Sequence, residues 1–299
     1  MAKLLNIEIA GVNFVISCKD SVTLQNYNPI YSSFLVTKNS PTNADINISI
    51  EINNFPDIKK QTKIFDSGQS WSMLQNGNNY FLVMNHHAFD KKPIWVARFD
   101  HNFKNVCVFL REKLLHESTE RITIPNFISY PLDQILLMYL LAQREGALIH
   151  AAGAEYNGKG YIFPGKSGAG KSTLTKQLDC INDFFILSDD RVVVRKIENI
   201  FKVFGTPWPG EAGIAVNSCV DLSGIFFVSQ ARSNKIIEID SQKALEKLLP
   251  VVSIPWYDKE TMIKILDFCG DLISHIPTYD FQFKPGSEAI HVFESFITQ

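Results

Sequence analysis

The sequence lacks the features of a secreted, disulfide-bonded or membrane-spanning protein. Its five cysteines are an odd number and no two lie close together along the chain, so neither a C-x-x-C pair nor a disulfide framework is expected. No apolar run approaches the ~18 residues that a spanning helix needs. The first residues, MAKLLNIEIAGVNF, contain no apolar stretch of signal-peptide length. Together these absences predict a cytoplasmic protein with no membrane partner.

Charge of one sign is also scarce, because acidic and basic residues are scattered along the chain without long runs. The formal net charge is −2 and the isoelectric point is about 6.4. A nucleic-acid partner is therefore not expected, since such proteins carry a basic patch or stripe. Hydrophobic residues are abundant: they make up 45% of the 299 residues, enough for the cores of two modest domains.

The first part of the chain, residues 1–118, is typical of a β-rich domain. Short segments rich in β-branched and aromatic residues are separated by Asn, Pro, Gly and Asp; they are LLNIEIA, NFVISC, SFLVT, DINISIEI, YFLVM, IWVARF and VCVFLR. Isoleucine alternates with polar residues from Ile46 to Ile52, as in a half-exposed antiparallel strand. His86 and His87 are adjacent and would point to opposite faces of a strand, so a two-histidine metal site is not expected there.

The second part, residues 119–299, mixes helices with strands. Pro131 opens the strongly apolar segment PLDQILLMYLLAQR, which has helical spacing. ALIHAAGAEY and GYIFP are predicted strands joined by a turn at Asn157–Lys159. Further predicted elements are a helix at 173–180, the strands FFIL, VVVRK, FKVFG and IFFVS, and amphipathic helices at Ser241–Leu249 and Asp258–Ser274. The order predicts an α/β domain.

A phosphate-binding motif lies between the predicted strand GYIFP and the helix that follows. The pattern G-x-x-x-x-G-K-[ST] is met by Gly165, Lys166, Ser167, Gly168, Ala169, Gly170, Lys171 and Ser172, and Thr173 continues into the helix. Small residues let backbone N–H groups surround phosphates, and the start of a helix favours anions. Lys171 can reach β- and γ-phosphate oxygens, and the Ser172 hydroxyl can hold Mg²⁺. The segment predicts a nucleotide site with ATP and Mg²⁺ as ligands.

Two consecutive acids, Asp189 and Asp190, end the apolar strand that follows this helix. Carboxylates at the carboxyl end of a strand beside the phosphate strand are well placed to face a nucleotide. Only one helix and a turn separate them from Ser172. This compact order suits phosphoryl-transfer enzymes, in which one acid can hold Mg²⁺ and another can accept the proton of an attacking hydroxyl.

The stretch LIHAAGAEYNGKGYIFPGKSGAGKSTL followed by LSDDRVVV resembles the catalytic domain of the HPr kinase/phosphorylase family. That family is akin in fold to ATP-dependent phosphoenolpyruvate carboxykinase. His150, the segment Gly165–Ser172, Asp189 and Asp190 match the family pattern in order, and the resemblance covers about residues 145–230. It implies an α/β fold with a P-loop domain of this type after the β-rich N-terminal domain, and relatives of this kind are often homo-oligomers.

The resemblance also implies a role for individual residues. Lys171 would bind phosphate, Asp189 would be the base that activates an acceptor hydroxyl, and His150 would sit near the transferred phosphate. Ser172 and Asp190 would act at the metal. Glu211, in the loop FGTPWPGEAG, would be a further acid near that metal. By its position alone, Arg232 in the loop after IFFVS could stabilise charge on a γ-phosphate.

The sequence departs from HPr kinases in ways that bear on the acceptor. Ser172 is followed by Thr173 where those enzymes have Ser-Glu, and their LEIRG-type signature is absent. We therefore expect an ATP- and Mg²⁺-dependent phosphotransferase whose acceptor is a serine or other hydroxyl on a protein, peptide or small molecule. The alternatives are a non-catalytic ATP-binding regulatory module, a simple NTPase, and a small-molecule enzyme nearer the carboxykinases.

Overall fold

The computed structural model describes residues 3–18, 22–24, 29–36, 44–68, 70–85, 93–111, 116–118, 121–124, 128–181 and 183–298. His86 and His87 lie outside these ranges. The chain divides into two compact units, Met1–Tyr139 and Leu140–Gln299. This division lies later in the chain than the predicted limit between residues 118 and 119, which stays a prediction. Both units contain a large sheet, so the predicted α/β class is confirmed.

The first unit is built mainly of strands. Its strands are β1 (Lys3–Ile9), β2 (Val12–Cys18), β3 (Val22–Leu24), β4 (Ile46–Ile52), β5 (Thr62–Asp66), β6 (Trp71–Asn76), β7 (Asn79–Met84), β8 (Trp95–Asp100), β9 (Asn105–Leu110), β10 (His116–Ser118) and β11 (Arg121–Ile124). Eight of them form a sheet in the order β1-β2-β4-β9-β8-β7-β6-β5, and β10, β11 and β3 form a smaller sheet. Helix α1 (Leu132–Ala142) follows and contains the division between the units.

Local pattern explains one success and one failure in this unit. In β4, Ile46, Ile48 and Ile50 are buried while Asn47 and Ser49 are exposed, which is the predicted alternation. The antiparallel pairing expected for this strand is wrong, because β4 is parallel to both β2 and β9. The segment SFLVT was predicted as a strand, but the structure has a 3₁₀ helix at Pro29–Phe34. Tyr31 and Phe34, three residues apart, are both buried by this turn, so burial of two aromatic rings outweighs strand propensity.

The second unit alternates strands with helices. Its elements are β12 (Gly146–Tyr156), β13 (Lys159–Pro164), α2 (Lys171–Asp179), β14 (Phe184–Ser188), β15 (Arg191–Ile197), β16 (Ile200–Gly205), β17 (Cys219–Gln230), β18 (Lys235–Glu238), α3 (Ser241–Leu248), α4 (Lys259–His275), β19 (Thr278–Phe283) and α5 (Ser287–Ile297). The sheet order is β13-β12-β15-β16-β17-β19-β18, and β14 pairs with β12. The sequence DLSGIFF, expected to be a loop entering a strand, lies wholly within β17.

Two long strands change partners along their length. Strand β12 pairs with β15 through residues 146–150 and with β13 through residues 151–156. Strand β17 pairs with β16 at its start, then with β13, and finally with β19. These shared strands join the two halves of the sheet, and His150 is the last residue of β12 that pairs with β15.

A core of aromatic and aliphatic side chains fixes the elements around β12. It packs α2 and α5 against the strands, and its fully buried members include Phe163, Leu174, Phe281, Phe283 and Phe293. The burial of these apolar side chains is the main interaction that stabilises the packing of the two helices on the strands. Among the described residues, no helix has both the length and the apolar character needed to cross a membrane.

Candidate active site

The site lies where strands β13 and β14 end on either side of β12. Both strands run antiparallel to β12, so their carboxyl ends reach the same part of the sheet. Pro164, the last residue of β13, pairs with Ala151, and Ser188, the last residue of β14, pairs with Gly153. The segments that follow these two strands therefore emerge beside His150.

The glycine-rich loop Gly165–Gly170 leads from β13 into helix α2. Gly168 and Gly170 have φ of 80° and 103°, in the left-handed region that favours glycine. A Cβ at Gly170 would also lie 2.6 Å from Cζ of Phe283. Both the backbone conformation and the close approach of this ring therefore favour glycine at position 170. Helix α2 begins at Lys171, two residues earlier than predicted, and no side chain caps its first turn. Its first N–H groups therefore remain able to bind an anion.

Lys171 is buried at the base of this loop. Its Nζ donates a hydrogen bond of 2.8 Å to the carbonyl oxygen of Gly165, and only 6% of the residue is exposed. Burial lowers the pKa of Lys171 below its ordinary value of 10.5; Asp190 opposes this effect and Arg191 adds to it. A buried ammonium with a lowered pKa gains most from an anionic ligand, because the ligand offsets its lost hydration.

His150 and Asp190 form a hydrogen-bonded pair. His150 Nε2 lies 2.8 Å from Asp190 Oδ1, and Arg191 Nε lies 3.6 Å from Asp190 Oδ2. Burial alone would raise the pKa of Asp190, but the hydrogen bond with His150 and the charges of His150, Arg191 and Lys171 outweigh it and hold the pKa below its ordinary value of 3.8. Asp190 is therefore a carboxylate at neutral pH. The strand register explains the pair, because His150 lies opposite Arg191.

Asp189 does not face the same space. Its side chain was expected to reach a nucleotide, but only 1% of the residue is exposed. Its Oδ1 accepts hydrogen bonds from the backbone N–H groups of Gly210 (2.9 Å) and Ile214 (3.2 Å), and its Oδ2 accepts one from Ala212 (2.7 Å). Asp190 therefore lines the site, whereas the Asp189 side chain is directed at the backbone of residues 210–214.

The segment between β16 and β17 folds back toward the end of β14. Val216 N–H donates to the carbonyl of Leu187, and Ala215 forms a bridge with Ser188. At Gly205 the chains approach so closely that a Cβ would lie 2.0 Å from the Val216 carbonyl oxygen. This return brings Gly210 and Glu211 alongside the two aspartates.

These parts enclose a polar pocket of about 250 Å³. Its lining residues are His150, Ser167, Gly168, Gly170, Lys171, Ser172, Thr173, Asp190, Gly210, Glu211 and Gln230. The predicted residues Gly165, Lys166 and Ala169 support the loop without lining the pocket, and Arg232 is exposed and also absent from the lining. Sequence reasoning missed Gln230. The end of an apolar strand, here β17, was the signal that could have identified it.

Within the described ranges, no group of three or more His, Cys, Asp and Glu side chains could hold a metal ion by itself. Ser172, Asp190 and Glu211, the residues predicted to hold a metal, do line the same pocket. Two carboxylates and a hydroxyl are oxygen ligands, and Mg²⁺ is commonly held by one or two carboxylates together with substrate phosphates. The donor set is therefore compatible with Mg²⁺ in the presence of a phosphate ligand.

Comparison with known proteins gives a family and a distant similarity to solved structures. The HPr(Ser) kinase/phosphatase from Coxiella burnetii is similar at 13% identity and a TM-score of 0.28, over 50% of this chain and 88% of that chain. A similarity of this size carries no inference about activity. No curated protein matches the chain. The family model described as SynChlorMet cassette protein ScmC matches residues 126–279. With more than half of its 299 residues matched by that model, the chain belongs to the ScmC family.

Proposed function

We propose that the protein is an ATP- and Mg²⁺-dependent phosphotransferase that transfers the γ-phosphoryl group to a hydroxyl acceptor on a protein, peptide or small molecule. One observation carries the proposal: an uncapped helix start with a buried lysine faces a His150–Asp190 pair across one polar pocket. Phosphoryl transfer depends mainly on positioning and charge stabilisation, and these residues can provide both.

The phosphate-binding part of the pocket is the glycine-rich loop with the start of α2. The backbone N–H groups of this loop would hold phosphate oxygens, with Lys171 as the buried positive charge. Because the pocket is lined by polar residues and glycines, its chemistry suits the phosphate tail of a nucleotide. Ser172 and Glu211 would hold Mg²⁺, which would neutralise charge on the phosphates when bound.

The proton-accepting part is the His150–Asp190 pair. The segment that follows β14 offers two acids, but the Asp189 carboxylate already accepts hydrogen bonds from three backbone amides. We therefore assign the base to Asp190 in place of Asp189. In the transfer, the acceptor oxygen forms a bond to γ-phosphorus, the bond to the β-bridging oxygen breaks, and the acceptor proton passes to Asp190. His150 would orient the Asp190 carboxylate through their hydrogen bond.

The test is incubation of the protein with γ-labelled ATP, Mg²⁺ and soluble extract of the host. Label should appear on an acceptor, and Asp190→Asn should reduce its rate by about 10²- to 10⁴-fold while nucleotide binding is retained, because only the proton acceptor is changed. Asp179→Asn, at an exposed position in α2, is the matched control and should leave the rate unchanged.

Three results would contradict the proposal. Label found only as free phosphate would favour a simple NTPase. Binding of ATP with no loss of its γ-phosphate would favour a regulatory module. Full activity in the Asp190→Asn variant would exclude Asp190 as the base.

A further inference from the structure

Asp189 is a buried carboxylate beside the pocket, although it lies outside the pocket lining. Its two oxygens accept three N–H groups, from Gly210, Ala212 and Ile214. The donors are every second residue of one short segment, so a single carboxylate fixes that whole segment. We call Gly210–Ile214 the clasped segment.

The occupied oxygens exclude a second role for Asp189. A general base must come within hydrogen-bonding reach of the proton it removes. The Asp189 carboxylate is 1% exposed and is directed at backbone amides. Hydrogen bonds from neutral N–H groups to a carboxylate are strong, and breaking them to release an oxygen for catalysis would leave buried donors unpaired.

The clasped segment also packs tightly on both aspartates. A Cβ at Gly210 would lie 2.9 Å from Asp189 Oδ2 and 3.0 Å from Cβ of Asp190. Gly213, with φ of 74°, closes the turn by donating to the carbonyl of Gly210. Glu211 lies between two residues that are bonded to Asp189, and it lines the pocket. The position of the backbone that carries Glu211 therefore depends on the clasp.

We propose that Asp189 is a positioning residue that fixes Glu211 at the pocket by clasping the backbone of Gly210–Ile214, an inference that rests on the proposed function for the role of Glu211. Asp189 thus contributes to Mg²⁺ binding without touching the ion or the acceptor. The adjacent acids thus have different roles. Asp190 acts in the pocket, and Asp189 fixes the backbone of the clasped segment.

The proposal is tested with Asp189→Asn, Glu211→Gln and the double variant, with Asp179→Asn as the control. The first readout is hydrogen exchange at the amides of Gly210, Ala212 and Ile214. In D189N the amide of Ala212 should exchange at least ~10-fold faster, because the NH₂ group that replaces Oδ2 cannot accept from it, whereas the remaining amide oxygen can still accept from Gly210 and Ile214. The second readout is the Mg²⁺ concentration that half-saturates binding of a fluorescent ATP analogue.

That Mg²⁺ concentration should rise about 10-fold in D189N and in E211Q alike, and the double variant should be no weaker than E211Q alone, because both changes remove the same interaction. D179N should match the wild type in both readouts. Gly210→Ala keeps the carboxylate but displaces the clasped segment, so it should raise the Mg²⁺ requirement too. It serves in place of D189N if circular dichroism shows that D189N is unfolded.

Unchanged exchange at the Ala212 amide in D189N would overturn the proposal. So would an unchanged Mg²⁺ requirement combined with complete loss of transfer, which is the behaviour of a catalytic base. Additive losses in the double variant would likewise overturn it. If the wild type does not bind Mg²⁺-nucleotide at all, the proposed function fails and with it the role given to Glu211, whereas the exchange readout still decides whether Asp189 clasps the segment.

Discussion

At the scale of single residues, the neighbouring acids Asp189 and Asp190 occupy opposite environments. Asp189 is 1% exposed and accepts three amides, while the side chain of Asp190 is 30% exposed and pairs with His150. Both residues lie in the bend between β14 and β15, where the Asp189 side chain is directed at the backbone of residues 210–214 and that of Asp190 at His150. The hydrogen bond with His150 and neighbouring positive charge stabilise Asp190 as a carboxylate.

The lowered pKa of Asp190 predicts a pH dependence of stability. A carboxyl group whose pKa is lower in the folded than in the unfolded protein stabilises the fold above its unfolded pKa of about 3.9, and this contribution is lost as pH falls through the folded value. The difference in unfolding free energy between the wild type and Asp190→Asn should therefore shrink as pH falls. Urea unfolding between about pH 6 and pH 3.5 measures it, and a constant difference across that range would contradict the stated cause.

How far these residues could be predicted from the sequence depends on what the motif encodes. Lys171 and Ser172 follow from spacing alone, because the glycine-rich turn and the helix after it fix their surroundings. Period-two alternation implies that only one of Asp189 and Asp190 faces the pocket, but it does not say which. That choice depends on the return of residues 206–218 over the strand end, a contact across 21 to 25 positions that no local pattern contains.

At the scale of elements, the start of helix α2 depends on a glycine for two separate reasons. Gly170 has φ of 103°, and its missing side chain leaves room for the ring of Phe283 in β19. The helix start is thereby fixed against the core, with its free N–H groups directed to the pocket. The loop and the helix form one unit whose geometry depends on packing from a distant strand.

Replacing Gly170 separates these two effects when it is compared with Gly213. Both residues have positive φ, but a Cβ at Gly213 meets nothing within 4 Å. Gly213→Ala should therefore cost only the backbone strain, about 1–2 kcal/mol, and Gly170→Ala should cost more because Phe283 must also move. Urea unfolding measures the decrease in the free energy of unfolding for each variant. Equal decreases would mean that the contact with Phe283 does not contribute to stability.

Other elements show where local sequence was sufficient and where it was not. Helix α4 and strand β4 have strong periodicity and were found at nearly the predicted limits. Helix α5 was missed although Ala289, Ile290 and Phe293 form a buried stripe at helical spacing. Strand β6 was not predicted, because polar residues interrupt its apolar ones, although β5 and β7 pair with it on either side.

At the scale of the whole molecule, the pocket belongs entirely to the second of the two units. A ligand that binds only the folded form stabilises it by mass action, by about 2.7 kcal/mol at a concentration 100-fold above its Kd. For a domain of this size each kcal/mol corresponds to roughly 2–4 °C in melting temperature. The unit that carries the pocket should therefore respond to Mg²⁺-ATP by several degrees.

Calorimetry with and without Mg²⁺-ATP tests this expectation. The wild type should gain several degrees, and Lys171→Met should lose most of the gain, because the buried positive charge that faces the phosphates is removed. Lys176→Met, at an exposed position of the same helix, should behave like the wild type. An equal gain in all three proteins would mean that the nucleotide binds elsewhere.

The change of partners along β12 has a consequence for how the protein acquires its activity. His150 lies where β12 leaves β15 and meets β13, and β13 in turn pairs with β17, as Gly160 with Leu222. Pairings between such distant parts of the chain form slowly. The glycine-rich turn can therefore be synthesised on the ribosome long before the chain can bind a nucleotide. It follows that the ligand cannot assist the earliest steps of folding.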